Sequence, residues 1–440
     1  MIGAGAGGII AAWRAAQLGA QALLLEKTPR IGTKILISGG GKCNVAHDGP
    51  LEDVIRAFRP NEAQFIRPAC YRFPNKTIMG LFTDRGCELY TRPDGRVFPK
   101  SATAKDVVAI LTDYLREAGV DVRLNVAVSE IVTEGGAISG VRLSKTNLLS
   151  KSATEGGFGA QALLRQAMTT ESDFGRDWQG EDWLPCNRVV LATGGSSYPN
   201  SGTTGDGWVW ARKLGHRIER LRAALAPIYF QAPDAELSGV AVRGGVLYAR
   251  SEGRQFARAD GDVLFTHKGI SGPATLRISR SVAEQMESAP VDMEIDLLPA
   301  HEFEEIASEL RNRDPRKQVS SYLDDLVPER LRSRILQAAQ LDPTTTHAKL
   351  EKKILNRFAS TLKRWPVGSV KSVPLEKGEV VAGGVALDEV DPKTMQSKLV
   401  KGLYLCGEVL DIAGQVGGYN LQAAFATGFV AGESASKYVL

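Results

Sequence analysis

The stretch Gly3-Ala4-Gly5-Ala6-Gly7-Gly8 decides the fold, because it follows the pattern G-x-G-x-x-G. The alanine-rich segment after it predicts a helix over Ile9–Leu18 that ends at Gly19. A short apolar strand is predicted next, over Gln21–Leu25. A glycine turn followed by a helix and a strand is the order of a dinucleotide-binding fold, so the sequence predicts a Rossmann-like α/β domain.

The glycines of this turn have separate physical roles. We expect Gly3 to form the strand-to-helix turn, Gly5 to let the backbone approach a pyrophosphate, and Gly8 to let helix and strand pack closely. The start of the helix favours an anion, because its first N–H groups lack partners and its dipole is positive there. Glu26 follows the strand and is placed to accept a ribose hydroxyl, with Lys27 beside it as a further binding residue.

Only Met1 and Ile2 precede the turn, where this fold normally has a central buried strand. A shortened strand would leave its neighbours without hydrogen-bond partners. We therefore expect the chain as given to be short at its start.

A second glycine-rich segment, Gly32–Asn44, contains three consecutive glycines flanked by lysines. Glycine N–H groups and lysine charges both favour phosphate. Cys43 has two open interpretations, a neighbour of a flavin or a small buried hydrophobic side chain, and the second is favoured. The predicted binding residues here are Lys34, Ser38, Gly39, Gly40, Cys43 and Asn44.

Later segments complete an order of motifs typical of FAD-binding flavoproteins. A predicted strand over Val122–Val132 would meet the adenine, Val189–Gly195 runs into a glycine turn, and Gly402–Glu408 ends in an acid expected near the ribityl phosphate. A helix opening at Gly417 would aim its N-terminus at the flavin pyrimidine, where negative charge develops on reduction. The predicted FAD contacts in these segments are Val128, Thr193, Gly194, Gly195, Gly407, Glu408, Gly418, Asn420 and Leu421.

The chain resembles the BaiN-like, aminoacetone-oxidase-related family, whose members are mostly NAD(P)/FAD-dependent oxidoreductases. The motifs that carry the resemblance span nearly the whole chain: Ile37–Asn44, Asp94–Lys100, Ala192–Gly207, Leu264–Pro273 and Val385–Gly432. Three positions depart from the family pattern, which has arginine at Lys42, Thr-Asn at Ala46-His47 and commonly threonine at Val381. The first two departures lie beside the predicted flavin and bear on substrate choice.

The resemblance and the residue patterns together predict the domain organisation. The expected fold class is α/β, with an FAD-binding Rossmann-like domain of the glutathione-reductase type in three layers, an inserted β-rich subdomain and a nested helical cap. The helical cap is assigned from apolar side chains that recur with helical spacing. The predicted ranges are 1–205 and 372–440 for the FAD domain, 145–185 for a polar insertion, 206–300 for the β-rich insert and 301–371 for the cap.

The small net charge argues against a protein whose surface mainly binds nucleic acid. Lys and Arg number 54 and Asp and Glu number 50, which gives a net charge of +4. Residues 301–371 hold 14 basic and 10 acidic residues, so the basic excess is local to the cap. Arginines cluster there at Arg311–Arg316 and Arg330–Arg334. A solvated helix face is favoured over RNA contact, because no aromatic residues are interleaved with these charges.

Cysteine and histidine usage narrows the class further. Five scattered cysteines exclude a disulfide scaffold, and five histidines without HxxxH spacing argue against a metal site. The uncharged stretch Ile412–Gly432 is interpreted as a loop and a buried helix, because its five glycines do not suit a membrane span. We therefore expect a cytoplasmic protein without a metal and without a membrane partner.

The sequence predicts an FAD-dependent oxidoreductase that passes a hydride through flavin N5 and acts on an unidentified small molecule. NAD(P)H is the candidate co-substrate that would reduce the flavin. Two alternatives stay open: an oxidase that returns electrons from a small amine to O₂, and an FAD-dependent protein that modifies or binds RNA. His267 is the candidate for proton transfer, and a structural histidine at a strand end is an equal interpretation. The oligomeric state stays open.

Overall fold

The computed structural model describes residues 1–144 and 182–437. The chain divides into two compact units: Met1–Leu221 with Val380–Leu440, and Arg222–Glu379. Of the predicted polar insertion at 145–185, residues 145–181 lie outside the described residues.

The secondary-structure elements of the described residues are as follows. The strands are β1 (Leu23–Leu25), β2 (Ala46–His47), β3 (Leu89–Thr91), β4 (Arg96–Pro99), β5 (Asp121–Arg123), β6 (Ala127–Glu134), β7 (Ala137–Ser144), β8 (Trp183–Pro185), β9 (Val189–Leu191), β10 (Arg222–Ala224), β11 (Ile228–Phe230), β12 (Ala241–Ser251), β13 (Arg254–Thr266), β14 (Gly269–Ser271), β15 (Asp292–Asp296), β16 (Trp365–Ser372), β17 (Val380–Ala382) and β18 (Leu403–Leu405). The helices are α1 (Ala6–Gln17), α2 (Thr33–Ile37), α3 (Leu51–Arg56), α4 (Pro60–Arg72), α5 (Asn75–Thr83), α6 (Ala104–Glu117), α7 (Asp206–Lys213), α8 (Pro273–Gln285), α9 (Phe303–Asn312), α10 (Glu329–Ala338), α11 (Lys352–Lys363) and α12 (Tyr419–Ser436).

A parallel sheet organises the first unit. Strand β1 pairs with β5, and β9 pairs with β18, each in parallel. Ile2 lies between the two pairs and forms parallel bridges to Leu25 and Leu191. The Ile2 N–H donates to the carbonyl of Val190 at 2.9 Å, and the Gly3 N–H donates to that of Leu25 at 2.8 Å. The short segment before the glycine turn therefore occupies the central position of the sheet, and both of these N–H groups are hydrogen-bonded.

Two helices pack on this sheet through closely approaching backbones. Helix α1 contacts β1 and β9 on the sheet and packs along α12. A Cβ at Gly428 would overlap the carbonyl oxygen of Gly7, and one at Gly432 would overlap that of Ala11. Small residues are required at this crossing because any larger side chain would push the two helices apart.

The boundary between the units differs from the prediction at residue 206. Helix α7 belongs to the first unit, and the indole Nε1 of Trp208 donates to the carbonyl of Val409 at 2.9 Å within that unit. The apolar face of α7 is buried, which explains why the helix stays with the sheet instead of joining the β-rich insert. The second unit therefore begins at Arg222 and ends at Glu379.

The second unit is a barrel with helices attached. Its antiparallel strands close in the order β11, β14, β13, β12, β15 and β16. Helix α8 packs against β13, and α9, α10 and α11 follow β15 in the chain. The predicted cap range of 301–371 runs too far, because β16 begins at Trp365 and pairs with β11 and β15 to close the barrel. The β-rich insert and the helical segment are both present with these shifted bounds.

Within the described ranges 1–144 and 182–437, no helix is long and apolar enough to cross a membrane. The uncharged stretch from Ile412 to Gly432 forms a loop followed by most of α12. Helix α12 is buried along most of its length by protein contacts within the first unit.

A buried histidine ties two loops of the first unit together. His216 Nδ1 lies 3.0 Å from Glu389 Oε2, and its Nε2 lies 2.8 Å from Ser397 Oγ. The Ser397 hydroxyl oxygen also accepts the backbone N–H groups of Leu399 and Val400. The serine oxygen is therefore held by backbone and histidine together, so this Ser-His-Glu arrangement joins loops and does not resemble an activated nucleophile.

This histidine makes the stability of the first unit depend on pH. Burial lowers the pKa of His216, and the hydrogen bond to Glu389 opposes that shift only in part. Below about pH 6.5 the imidazole of His216 is protonated in the unfolded chain but less so in the folded chain. The free energy of unfolding therefore falls as the pH is lowered. The measurement is the free energy of unfolding in urea at pH 7.5 and at pH 5.5. The decrease between the two pH values should be larger for wild type than for His216→Gln. Equal decreases would contradict this role.

Candidate functional site

The turn from Ile2 into α1 shows three glycines in three different environments. Gly3 has a φ of 97°, and a Cβ there would lie 2.6 Å from the carbonyl oxygen of Ala192. A Cβ at Gly8 would overlap the carbonyl oxygen of Gly3. Gly5 differs, since no atom of the described chain lies within 4 Å of its Cβ position. Gly5 is also the N-cap of α1, and no side-chain hydrogen bond caps the first N–H groups of the helix there.

The carboxylate of Glu26 lies at the end of β1, beside this turn. Its Oε2 accepts the backbone N–H of Ala4 at 2.8 Å, and its Oε1 accepts that of Thr28 at 2.8 Å. Burial raises the pKa of Glu26, and the two backbone donors oppose that rise. The donors therefore fix the direction of a half-buried acid at the strand end, as a ribose-binding acid requires.

Val128 lies in β6, the second of the two strands into which the predicted segment 122–132 divides. The predicted strand is broken at Asn125, whose φ is 57°, and it forms β5 and β6 in two separate sheets. Val126 N–H donates to the carbonyl of Glu26 at 2.9 Å, which holds the start of β6 beside the acid. Val128 itself is buried and pairs with Leu143 on β7.

Both lysines among the predicted binding residues, Lys27 and Lys34, form ion pairs inside the site. Lys27 Nζ lies 2.6 Å from Asp206 Oδ2. Lys34 Nζ lies 2.7 Å from Glu408 Oε2 and 2.8 Å from the hydroxyl oxygen of Ser197. The structure thus joins Lys34 and Glu408, two predicted binding residues, into a single charge-neutral pair.

Glu408 is also the meeting point of two other predicted segments. Its Oε1 accepts the backbone N–H of Val381 at 2.8 Å. Position 381 is commonly threonine in the family, but this hydrogen bond uses the backbone and not the side chain. A Cβ at Gly195 would lie 2.8 Å from the same oxygen. Gly194 and Gly407 both have positive φ, at 69° and 71°, which glycine adopts without strain.

The glycine-rich loop after α2 forms a tight turn. Ser38 Oγ donates to the carbonyl of Ile35 at 2.8 Å, and the carbonyl of Ser38 accepts the Cys43 N–H at 3.0 Å. Gly39 and Gly40 have φ values of 56° and 68°, and the Cβ position of Gly40 has no neighbour within 4 Å in the described chain. Cys43 is fully buried, and burial raises the pKa of its thiol to about 12. The thiol therefore stays protonated at neutral pH.

Helix α12 begins in a glycine turn that packs on the same loop. Gly418 is its N-cap with a φ of 91°, and a Cβ there would lie 2.6 Å from the carbonyl oxygen of Ala46 and 2.9 Å from Asn44 Oδ1. Asn420 holds the turn, because its Oδ1 accepts the Gly414 N–H at 2.7 Å. Leu421 follows it, half-buried in the first turn of α12.

The site includes residues that the sequence did not single out as binding residues. His47 Nδ1 lies 3.1 Å from the carbonyl oxygen of Gly417, and its ring stacks on that of Tyr419. Gln422 accepts the His47 N–H at 3.2 Å. The sequence marked position 47 only as a departure from the family pattern. Such a departure does not show that His47 contacts residues near the start of α12. His267, the predicted proton-transfer residue, lies exposed in the turn between β13 and β14 of the second unit.

The geometry of the first unit fits a bound dinucleotide. Open space lies over Gly5 and Gly40, and an oriented acid stands at the end of β1. Thr193 Oγ1 and Gln422 Nε2 are buried and have no hydrogen-bond partner in the part of the chain that the structure describes. Buried polar atoms are normally satisfied, so these two are candidates to receive a partner from a ligand.

Comparisons with known proteins agree with this architecture. Over 431 residues the chain is 30% identical to the ribosomal RNA dihydrouridine synthase of Escherichia coli K12, covering 97% of this chain and 95% of that protein. It is 29% identical over 446 residues to the 3-dehydro-bile acid delta(4,6)-reductase of Clostridium scindens, covering 99% and 98%. The solved 3-ketosteroid delta1-dehydrogenase of Sterolibacterium denitrificans shares the fold, with a TM-score of 0.52, 14% identity and coverage of 99% and 98%.

The Rossmann sheet, its glycine turn and these relatives define the class of the protein as an FAD-dependent oxidoreductase. The predicted fold class and cofactor FAD are thereby confirmed. The chain belongs to the family described as HI0933-like protein Rossmann domain, which it matches over residues 1–154 and 157–434. The resemblance drawn from the sequence motifs is confirmed with it.

Proposed function

We propose that the first unit holds FAD through the residues assembled around α1 and α12. Bound FAD supplies a two-electron carrier that accepts and gives a hydride at N5. The open N-terminus of α1 at Gly5 would take the pyrophosphate, and Glu26 would take a ribose hydroxyl. The observation that carries the proposal is the pair of helices α1 and α12, which both start at a glycine N-cap without a side-chain cap bond. These two helix starts suit the phosphate charge and the charge on the reduced flavin.

The proposed reaction is reduction of a carbon–carbon double bond that a carbonyl group activates, with NAD(P)H as the electron source. Support comes from the names of the two relatives, since making dihydrouridine and acting as a delta(4,6)-reductase both saturate such a bond. The proposed substrate is a small molecule of this type. Oxidation of a small amine by O₂ remains the alternative that the same cofactor would allow.

RNA is a second candidate substrate, which the names of two relatives favour. A further relative from Haemophilus influenzae, 28% identical over 99% of this chain, is also named a ribosomal RNA dihydrouridine synthase. Against the predicted arginine cluster as an RNA surface, Arg330 donates to the carbonyls of Glu236 and Ser238, and Arg334 is paired with Asp234. Arg330 and Arg334 are thus engaged within their own unit, which argues against these two residues as an RNA surface.

Anaerobic stopped-flow spectroscopy separates these functions. Flavin absorbance is followed first with NADH or NADPH, and the reduced protein is then mixed with a 3-dehydro-4,6-diene bile acid, a ribosomal RNA transcript or O₂. Rapid reoxidation by the diene supports the small-molecule proposal, and reoxidation by the transcript assigns RNA. Direct bleaching by small amines, with no response to either nicotinamide, would overturn the proposal in favour of the oxidase.

Replacing Glu26 with alanine should weaken FAD binding by about 1.5–3 kcal/mol, because a hydrogen bond to a charged acceptor is lost. That loss corresponds to roughly a 10- to 150-fold higher Kd. The measurement is a fluorescence titration of apoprotein with FAD, and Glu88→Ala, at an exposed glutamate, is the control. Unchanged affinity in Glu26→Ala would show that the ribose is held elsewhere.

A further inference from the structure

A histidine and a tyrosine from distant parts of the chain form a stacked pair at the start of α12. The rings of His47 and Tyr419 have centroids 4.4 Å apart and planes 24° from parallel. The hydroxyl oxygen of Tyr419 lies 3.1 Å from His47 Nε2. On the other side of the ring, His47 Nδ1 lies 3.1 Å from the carbonyl oxygen of Gly417.

The partners of the imidazole determine where its protons are. The Gly417 carbonyl can only accept, so His47 Nδ1 carries a hydrogen and donates it. The Tyr419 hydroxyl can both donate and accept, so Nε2 has two allowed states. In one state Nε2 is bare and accepts the phenolic hydrogen. In the other the ring is the imidazolium cation, and Nε2 donates to the phenolic oxygen, so the phenolic hydrogen is directed away from the ring.

The histidine of the pair is held by contacts with α12, with α5 and with the turn before β4. The His47 N–H donates to Gln422 Oε1 at 3.2 Å, and the His47 carbonyl accepts from Asn75 Nδ2 at 3.0 Å. A Cβ at Gly95 would overlap the imidazole, so the ring fills the space that this glycine leaves. Both side chains of the pair are nevertheless half-buried rather than enclosed, so solvent can exchange protons with them.

We propose that Tyr419 is the proton donor of the reduction and that His47 is the residue that recharges it. This inference rests on the proposed function, reduction of an activated double bond. A cofactor bound in the first unit would deliver the hydride of NAD(P)H to one carbon of the double bond. The other carbon takes the proton of Tyr419 as its O–H bond breaks. The proton on His47 Nε2 then moves to the phenolate oxygen, and water returns a proton to the imidazole.

The decisive variant is Tyr419→Phe, which retains the stacked ring and removes only the hydroxyl. Reduction of the flavin by NAD(P)H should be unchanged, because that half-reaction needs no proton on the substrate carbon. Reoxidation by the double-bond substrate should slow by about 100-fold or more, the usual contribution of a general acid. His47→Gln should slow the same step, and the double variant should be no slower than Tyr419→Phe, since the two residues act as a unit. Tyr71→Phe, at an exposed hydroxyl bonded to Glu52, is the matched control.

A second readout does not depend on turnover. In ¹⁵N-histidine spectra of the oxidised holoprotein, Tyr419→Phe should shift the Nε2 resonance of His47, which His47→Gln identifies by its absence. Full reoxidation rates in Tyr419→Phe, in an enzyme whose wild type reduces the double bond, would overturn the inference and leave the proposed function standing. A wild type that no double-bond substrate reoxidises would overturn the proposed function and the inference with it. An unshifted Nε2 resonance would show that the pair does not exist in solution.

Discussion

Gly418→Val is expected to abolish stable FAD binding while leaving the second unit folded. Gly418 has a φ of 91°, and its Cβ would lie 2.6 Å from the carbonyl oxygen of Ala46. The positive φ costs a β-branched residue about 1–3 kcal/mol, and the crowding adds about the same again. The start of α12 must therefore move away from the loop that holds Asn44. FAD release on gel filtration and the Kd of reconstitution measure the effect.

Any Gly418→Val protein that still retains FAD should have a lower flavin reduction potential. The N-terminus of α12 would no longer favour negative charge at its original position, and the reduced cofactor would lose more stabilisation than the oxidised one. A loss of about 0.5–2 kcal/mol corresponds to roughly 10–40 mV for a two-electron couple. Gly19→Val is the control, since Gly19 also has positive φ but no neighbour within 4 Å in the described chain. A potential equal to or above that of wild type would show that α12 does not face the pyrimidine edge.

Gly8→Ala should destabilise the whole first unit, although it adds only one methyl group. Its Cβ would overlap the carbonyl oxygen of Gly3, so α1 would have to lift from the centre of the sheet. Crowding of a packed backbone costs about 3 kcal/mol or more, because no flexible side chain can yield. We expect a large drop in Tm of the apoprotein and loss of FAD, measured by differential scanning calorimetry and by the yellow colour of the purified protein.

Gly5→Ala, three residues earlier, separates folding from binding. Its Cβ meets no atom of the described chain within 4 Å, and its φ of −83° suits any residue. The Tm of the apoprotein should therefore equal that of wild type, whereas FAD affinity should fall because the methyl group occupies the path of the pyrophosphate. A destabilised apoprotein, or unchanged FAD affinity, would contradict the proposed position of the phosphates.

The glycine turn could be predicted because its signals are local in the chain. The spacing of Gly3, Gly5 and Gly8, the alanine-rich helix and the acid at Glu26 all lie within one short segment, and the structure shows that segment as a strand-to-helix turn. The start of α12 was predictable for the same reason, since two glycines precede an alanine-rich helix.

Side-chain pairing across the chain could not be predicted in the same way. Lys34 and Glu408 are separated by 374 positions, and each looks like a phosphate or ribityl contact until the fold brings them to 2.7 Å. Position 47 gave a hint only through its departure from the family pattern, because its stacking partner Tyr419 lies 372 positions further along the chain. Helix α7 falls in the range predicted for the β-rich insert and lies in the first unit, because the local sequence does not show which surface covers its buried face.

The crossing of α1 and α12 has a consequence for how the protein is made. The sheet is completed by β18, and α1 acquires its largest helical partner only with α12. More than two hundred residues separate β9 from β18, a gap of about 10–40 s at the usual speed of a ribosome. The second unit, which is contiguous in the chain, is completed within that interval, before β18 is synthesised, and can fold first. The proposed nucleotide site is therefore complete only once α12 has been synthesised, so FAD binding requires that helix.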